Sequence, residues 1–370
     1  MAKKALYLAG GGARGAYQAG VLKAIAEILQ VKKLPFAMVS GVSIGSINAA
    51  ILAHHADDFP AGVEKLETLW RQIKCGDIFN TSNYELGKSV LRNFSNFLIK
   101  QQKTGFLLDT TPLHKFISTN IDFEKIKENI ASNNLETMEV ISNCYETQQT
   151  ISFYQHNEKT FEDWHYPRHI SQRVEMDMQH ILASGALPLF FPAVKINNFH
   201  YGDGSMGLVS PLRGAVRFHV EKIMILGTRQ LPVFSEPGNP QNGDIGFAHV
   251  LGNMLDGLFL DNLDRDIEML NRMNDISRLL SMWKKRYSPW RPIETLHMRP
   301  SINMANIAQD NYQAMPAVLR VMLNLLGAKS HSGDLISFLL FEKEFTGELI
   351  DLGYHDTMID KESVTAFFDL

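Results

Sequence analysis

Hydrophobic positions near the start of the chain alternate between two periods. Ala5 to Ala9 is a short continuous apolar run, which reads as a buried strand. From Tyr17 to Leu29 the apolar residues Val21, Leu22, Ile25, Ile28 and Leu29 recur at helical spacing. Phe36 to Val39 is again short and apolar after Pro35, and Ile47 to His54 returns to helix. Strand, glycine-rich loop, helix, strand, tight turn and helix in that order predict an α/β fold built on a parallel sheet. Met138 to Tyr145, Thr150 to Tyr154 and Lys222 to Leu226 read as further strands of that sheet. Between Cys75 and Thr111 the pattern is irregular and predicts a loop-rich insertion or cover.

The stretch Leu231 to Gly246 concentrates Pro, Gly and Asn, the composition of a linker or long surface loop. A boundary there gives an N-terminal α/β domain over 1–230 and a mostly helical region over 231–370. In the second part Val250, Met254, Leu258, Leu263, Ile267, Leu270, Met273 and Ile276 recur at three- to five-residue intervals. Further helical patterns cover Ala317 to Leu326 and Leu335 to Phe345. No internal repeat and no low-complexity tract interrupts the chain.

Composition narrows the function without choosing one. The chain has 370 residues, 45% hydrophobic and 21% charged, with a net charge of -4, and acidic and basic positions are interspersed. That is globular composition, with no surface suited to nucleic acid. Cys75 and Cys144 lack metal-type spacing and read as free thiols. The apolar run after Lys3 and Lys4 is too short for a signal-peptide core, and nowhere are there about 18 uninterrupted apolar residues. The expectation is a cytoplasmic protein whose contact with lipid, if any, is peripheral.

Two loops carry the candidate chemistry. Gly10-Gly11-Gly12-Ala13-Arg14-Gly15 sits between strand and helix and satisfies the dinucleotide pattern. A dinucleotide site needs an acidic residue about 20 positions on to bind the ribose, where this chain has Pro35-Phe36-Ala37-Met38-Val39-Ser40. The second loop is Gly41-Val42-Ser43-Ile44-Gly45, again between an apolar strand and a helix, the setting of a nucleophile elbow. Gly41 and Gly45 leave room for a sharp turn that exposes Ser43, and the next helix brings its positive end to the site. The first loop then supplies an oxyanion hole, through the bare N–H groups of Gly11 and Gly12. Either loop alone is compatible with a phosphate site or a plain turn. Together they define adjacent strand ends of a parallel sheet, where such folds place their sites.

Serine needs a base. His219, His297, His331 and His355 all come after Ser43 in the order an α/β-hydrolase would use, but none has a recognisable turn context. Asp203 does, in Phe199-His200-Tyr201-Gly202-Asp203-Gly204-Ser205, where the competing reading is an ordinary hairpin at Asp-Gly.

The glycine loop, the Ser43 elbow, Asp203-Gly204, and Ala183-Ser184-Gly185-Ala186-Leu187-Pro188 through Phe191-Pro192 together resemble the patatin-like phospholipases. The resemblance covers about residues 5 to 230. It implies a three-layer α/β sandwich with a central, mainly parallel sheet. It also implies a Ser43–Asp203 dyad without a catalytic histidine, an oxyanion loop over Gly10 to Gly15, and hydrolysis of lipid acyl esters in the manner of a phospholipase A or lysophospholipase. Ser205 departs from the family, which usually has Gly or Ala there. Gly347 to Tyr354 is similar to the C-terminal part of some bacterial members.

Other features have bland readings beside sharp ones. Phe94, Phe97 and Phe106, interleaved with Lys88, Arg92, Lys100 and Lys103, suit either a membrane-facing patch or a half-buried helix. The methionines of Met254 to Met282 suit an acyl pocket or plain helix core. His54, His55, Asp57 and Asp58 read as a solvated helix end, so neither metal nor other cofactor is expected. Arg14 either orients its loop, meets a lipid phosphate or lies idle on the surface. The competing functions are a Ser-His-Asp esterase, a non-catalytic lipid-binding module and a nucleotide binder. Intact Ser43 and Asp203 weigh against the second, and the missing ribose acid against the third.

Overall fold

The first apolar run folds as expected because both of its faces are buried. Leu6 and Leu8 enter one core cluster and Ala5, Tyr7 and Ala9 another, on opposite sides of the sheet, as alternating side chains of a central strand must. The computed structural model describes residues 2–81, 107–158, 160–230, 247–279, 291–325 and 333–369. Its strands are β1 (Lys4–Leu8), β2 (Met38–Val42), β3 (Thr137–Cys144), β4 (Gln149–His156), β5 (His165–Tyr166), β6 (His169–Arg173), β7 (Val194–Ile196), β8 (Phe199–Asp203), β9 (Lys222–Leu226) and β10 (Glu294–Met298).

All belong to one sheet in the order β10-β9-β1-β2-β3-β4-β6-β5, with β8 pairing β3 and β7 pairing β8. The five strands from β10 to β3 are mutually parallel, while β4, β8 and β5 pair antiparallel with their neighbours β3 and β6. In register, Leu8 lies beside Gly41 of β2 and Leu226 of β9, and Leu226 lies beside Met298 of β10. The carboxyl ends of these strands are therefore level, and the loops that leave them share one rim of the sheet.

Helices Ala16–Leu29, Ile44–His54 and Lys343–Ile359 cover one face. The other face is covered by Arg213–Arg217 and by the long helix Phe247–Leu279, which packs Leu263, Ile267 and Leu270 against the sheet. This is the α/β sandwich the motifs implied. Gly20 and Gly353 let two helices of the first layer meet backbone to backbone: a Cβ on Gly20 would lie 1.9 Å from the Ile350 carbonyl, and one on Gly353 2.2 Å from that of Tyr17.

Several expectations need correction. The region beyond residue 246 is mostly helical, but it also supplies β10, a strand the helical reading of that third passed over. The run Leu335 to Phe345 is two helices, Gly333–Leu339 and Lys343–Ile359, separated at Leu340-Phe341-Glu342, where Glu342 is extended. On the long helix the apolar stripe stops at Leu270: Ile276 is exposed, and Asn274 turns inward, its amide exchanging hydrogen bonds with both backbone groups of Ile293 at 2.7 and 2.9 Å. Cys75 and Cys144 are free and buried. Of the Cys75–Thr111 region, Cys75–Ile78 forms one helical turn and Asn80 N–H donates to the Asp109 carbonyl at 2.8 Å. Residues 82–106, with Phe94, Phe97, Phe106 and their basic neighbours, lie outside the described residues, as does the predicted linker 231–246.

Candidate active site

The elbow arises directly from β2 ending at Val42 and a helix beginning at Ile44. Ser43, caught between them, takes φ 55° and ψ -128°, a conformation costly for a residue with a Cβ. It is held there by its own carbonyl, which accepts from Ser46 N–H at 2.9 Å and from Ser46 Oγ at 2.6 Å. A Cβ on Gly41 would lie 2.3 Å from the Gly45 carbonyl, and one on Gly45 2.1 Å from that of Leu8. The steric reason for both glycines is thus met, at the second by contact with the neighbouring strand.

Asp203 reaches Ser43 through the topology of β3. One edge of β3 is filled by β4 along Thr137 to Cys144. The other edge is shared: β2 pairs Thr137 to Ile141, and β8 pairs Ser142 to Cys144 from the opposite direction. Val42 is opposite Ile141 and Asp203 is opposite Ser142, so β2 and β8 meet end to end with Ser43 and Asp203 at the junction. The hairpin reading of Asp-Gly is overturned, because β8 makes its hairpin with β7 at Asn197-Asn198, in the register Ile196 to Phe199. Asp203-Gly204-Ser205-Met206 is instead a turn that leaves the sheet, closed by Met206 N–H to the Asp203 carbonyl at 3.1 Å.

The Asp203 carboxyl is fully buried. One oxygen accepts the Ser205 N–H at 2.9 Å, while Oδ2 has no hydrogen bond of full geometry. Loss of water raises its pKa to about 6, against hydrogen bonding from Ser43 and Ser205, which pulls it down. A carboxylate so placed is a stronger base than an ordinary aspartate and still ionises near neutral pH. Ser205 is 2% exposed, and its hydroxyl, like Asp203 Oδ2, has no hydrogen bond of full geometry.

A third segment holds the other two, and its role was not legible from its residues alone. Ser43 N–H donates to Ser184 Oγ at 2.9 Å, and Ser184 Oγ donates to the Ile141 carbonyl at 2.6 Å. Asp203 N–H donates to the Ala186 carbonyl at 3.0 Å and Gly204 N–H to that of Ser184 at 3.3 Å. The Ser184-Gly185-Ala186 strap therefore ties both Ser43 and Asp203 to β3. Ser184→Ala, which leaves the Ser43 N–H and the Ile141 carbonyl unpaired, is expected to destabilise the fold by about 1–3 kcal/mol and to lower kcat about tenfold by loosening the elbow. Thermal melts and ester kinetics on the purified variant check both.

The glycine loop comes directly after β1. Gly11 has φ 150° and Gly12 φ 56°, and Gly12–Gly15 is one 3-10 turn leading into the helix Ala16–Leu29. Gly10 is anchored through its carbonyl, which accepts from Thr228 Oγ1 at 2.5 Å. Among the described residues the N–H groups of Gly11, Gly12 and Ala13 donate to no backbone carbonyl. Behind the loop, Gln18 donates to the Ala9 and Leu226 carbonyls at 2.9 and 3.2 Å. Asn48 donates to the Gly15 carbonyl at 3.2 Å and to the Gln18 carboxamide oxygen at 2.9 Å, and accepts from Trp70 Nε1 at 3.0 Å. Both amides are wholly buried. A polar residue on an otherwise apolar helix face was the available signal for them.

Arg14 is not a surface residue: it is 3% exposed and turns away from solvent onto the helix Gly333–Leu339. Asp58 caps the helix Phe59–Gln72 and Asp57 pairs with Lys125 at 3.1 Å. Of the methionines in question, Met269 is exposed, and Met282 lies outside the described residues.

Ser43 and Gly12 line a narrow apolar cleft. Ile44, Ile47, Ile78, Leu113, Leu187 and Phe191 line it together with Phe338, Leu339 and Phe341. A second, small apolar space shares Ile44, Ile47 and Ile78 with it and is lined further by Ile51, Trp70 and Phe116. Among the described residues no histidine lines either space. His297 is on β10, with β9 and β1 between it and β2, and burial and nearby Arg299 push it down to about 3. His219 and His355 are exposed, and His331 lies outside the described residues.

The family model described as patatin-like phospholipase matches residues 6–216. Among curated proteins, the chain is 31% identical over 121 residues to the lysophospholipase nte1 of Aspergillus terreus, covering 30% of this chain and 8% of that one. It is 32% identical over 119 residues to the lysophospholipase NTE1 of Coccidioides immitis, covering 30% and 7%. The chain thus spans less than a tenth of the length of these relatives. Among solved structures, VipD from Legionella pneumophila superposes with a TM-score of 0.38 at 12% identity, over 88% of this chain and 67% of that one.

Proposed function

This chain belongs to the patatin-like phospholipase family, and we propose that it hydrolyses acyl esters of phospholipids or lysophospholipids through Ser43 and Asp203, by way of an acyl-enzyme. The observation that carries the proposal is the meeting of a strained, cleft-facing serine with a desolvated aspartate at the β2–β8 junction. The Asp203 carboxylate takes the Ser43 proton as Oγ attacks the ester carbonyl, and the Gly11 and Gly12 N–H groups receive the oxyanion. On collapse the C–O bond of the ester breaks, the departing alcohol takes the proton from Asp203, and Ser43 keeps the acyl group. Water, deprotonated by Asp203, then attacks the acyl-enzyme, and the fatty acid leaves as Ser43 regains its proton.

The apolar cleft suits the acyl chain. Burying each methylene there gives about 0.8 kcal/mol, so long chains are favoured over short ones. Among the described residues no helix is long and apolar enough to cross a membrane, and access to lipid is proposed at a membrane surface.

The test is labelling with a fluorophosphonate probe and peptide mapping of the adduct. The adduct belongs on Ser43; an adduct on another serine, or none in folded protein, removes the reading. The dyad also requires no histidine, so His219→Gln, His297→Gln and His355→Gln are each expected to retain kcat/KM within about threefold. Loss of roughly a thousandfold or more in any of them, with the fold intact, would reinstate a Ser-His-Asp arrangement.

A further inference from the structure

We propose that the helix Gly333–Leu339 belongs to the active site, with Ser337 acting through Arg14 as a positioning residue for the Gly10 to Gly15 loop. The proposal rests on the serine-hydrolase reading of Ser43 and Asp203.

The helix grips the loop at two points. Arg14 Nε donates to Ser337 Oγ at 2.7 Å, Nη2 lies 3.4 Å from both the carbonyl and a carboxylate oxygen of Asp334, and the guanidinium sits 4.3 Å over the Phe338 ring. Two residues earlier in the loop, the Phe338 carbonyl presses on Gly12, where a Cβ would lie 2.1 Å from it. Ser337 is fully buried, and its hydroxyl is used twice, accepting from Arg14 and donating to the Asp334 carbonyl at 2.6 Å. Its orientation is therefore fixed from both sides.

Chemistry gives this contact a purpose. A loop of four glycines in six residues has little side-chain packing to hold it, and glycine backbone is the most permissive there is. Oxyanion donors act only if they are aimed before the charge appears. Arg14 is the long side chain of that loop, and it spends its reach on the C-terminal helix rather than on the cleft. A buried guanidinium must be paired and hydrogen-bonded. Asp334 is 42% exposed and 3.4 Å away, whereas Ser337 and the Phe338 ring meet the guanidinium from the buried side. The same helix presents Phe338 and Leu339 to the cleft beside Ser43, so the brace and the cleft wall are one element.

The test compares Ser337→Ala, Asp334→Asn and Arg14→Lys with the parent protein. Steady-state hydrolysis of a p-nitrophenyl ester gives kcat and KM, and inhibition by a trifluoromethyl ketone carrying the same acyl chain gives affinity for a tetrahedral oxyanion. Ser337→Ala is expected to lower kcat 10- to 100-fold with KM within twofold. Across the three variants, ketone affinity should fall in proportion to kcat/KM. A variant set in which melting temperature falls while kcat and ketone affinity stay within twofold would make the contact merely structural and overturn the proposal. Should Ser337→Ala not fold, the surface-accessible Asp334→Asn decides by the same proportionality. Failure of the underlying reading is distinct, since the parent itself would then neither turn over the ester nor bind the ketone.

Discussion

Ser43→Ala is expected to lower kcat/KM on a short-chain ester by roughly 10⁴-fold or more, leaving the protein folded and unlabelled by fluorophosphonate. Removal of the nucleophile collapses a mechanism whose parts act together, and the residual rate is the contribution of the cleft and the glycine loop. The backbone at position 43 keeps its unusual angles in the variant, because they are imposed by Ser46, Ser184 and the close glycines around the turn rather than by the side chain. Melting temperature should therefore change little. Turnover within tenfold of the parent, in folded and label-free protein, would place the chemistry elsewhere.

Asp203→Asn is expected to cost roughly 10³–10⁴-fold in kcat/KM and to gain stability at alkaline pH, and the two effects have opposite pH signs. In the parent, activity needs the ionised carboxylate, so kcat/KM should rise with pH through about 6 and fall tenfold per unit below it. Stability runs the other way. The folded pKa lies above the usual 3.8 because burial disfavours the charge, so the carboxyl stabilises the fold while protonated, and that contribution is lost as pH rises through about 6. Asparagine, isosteric and neutral, avoids the loss. At pH 8 the variant should be the more stable by a few kcal/mol at most, on the scale of about 1.4 kcal/mol per pKa unit, with the difference fading towards pH 4. Denaturant melts of both proteins across that range measure it. A parent whose stability advantage grows with pH would mean that Asp203 is stabilised by a partner rather than strained by burial.

Those parts of the molecule that answer to local steric demands were legible in the sequence. The β1–helix–β2 unit declared itself by apolar spacing, and the Ser43 elbow by two glycines that neighbouring backbone leaves no room to replace. The parts that were not legible depend on who meets whom across long stretches of chain. Nothing near Ser184 says that its hydroxyl will bridge Ser43 and Ile141. Nothing near Arg14 says that Ser337, its partner, is 323 residues away. The residues around Asp203 left an ordinary hairpin open as the competing reading, because Asp-Gly is a turn signal in either setting, and only the pairing of β7 with β8 across Asn197-Asn198 shows that the hairpin lies elsewhere. β10 was passed over because its neighbours in sequence are helical, although its neighbours in space are not.

Because they share one edge of β3, Ser43 and Asp203 move as a pair. Ser43 and Asp203 come from strands that run towards each other along a single rail, and the Ser184 strap is fastened to that rail as well. A small slide or tilt of β3 carries Ser43, Asp203 and the strap together, so their separation is insulated from breathing of the sheet at large.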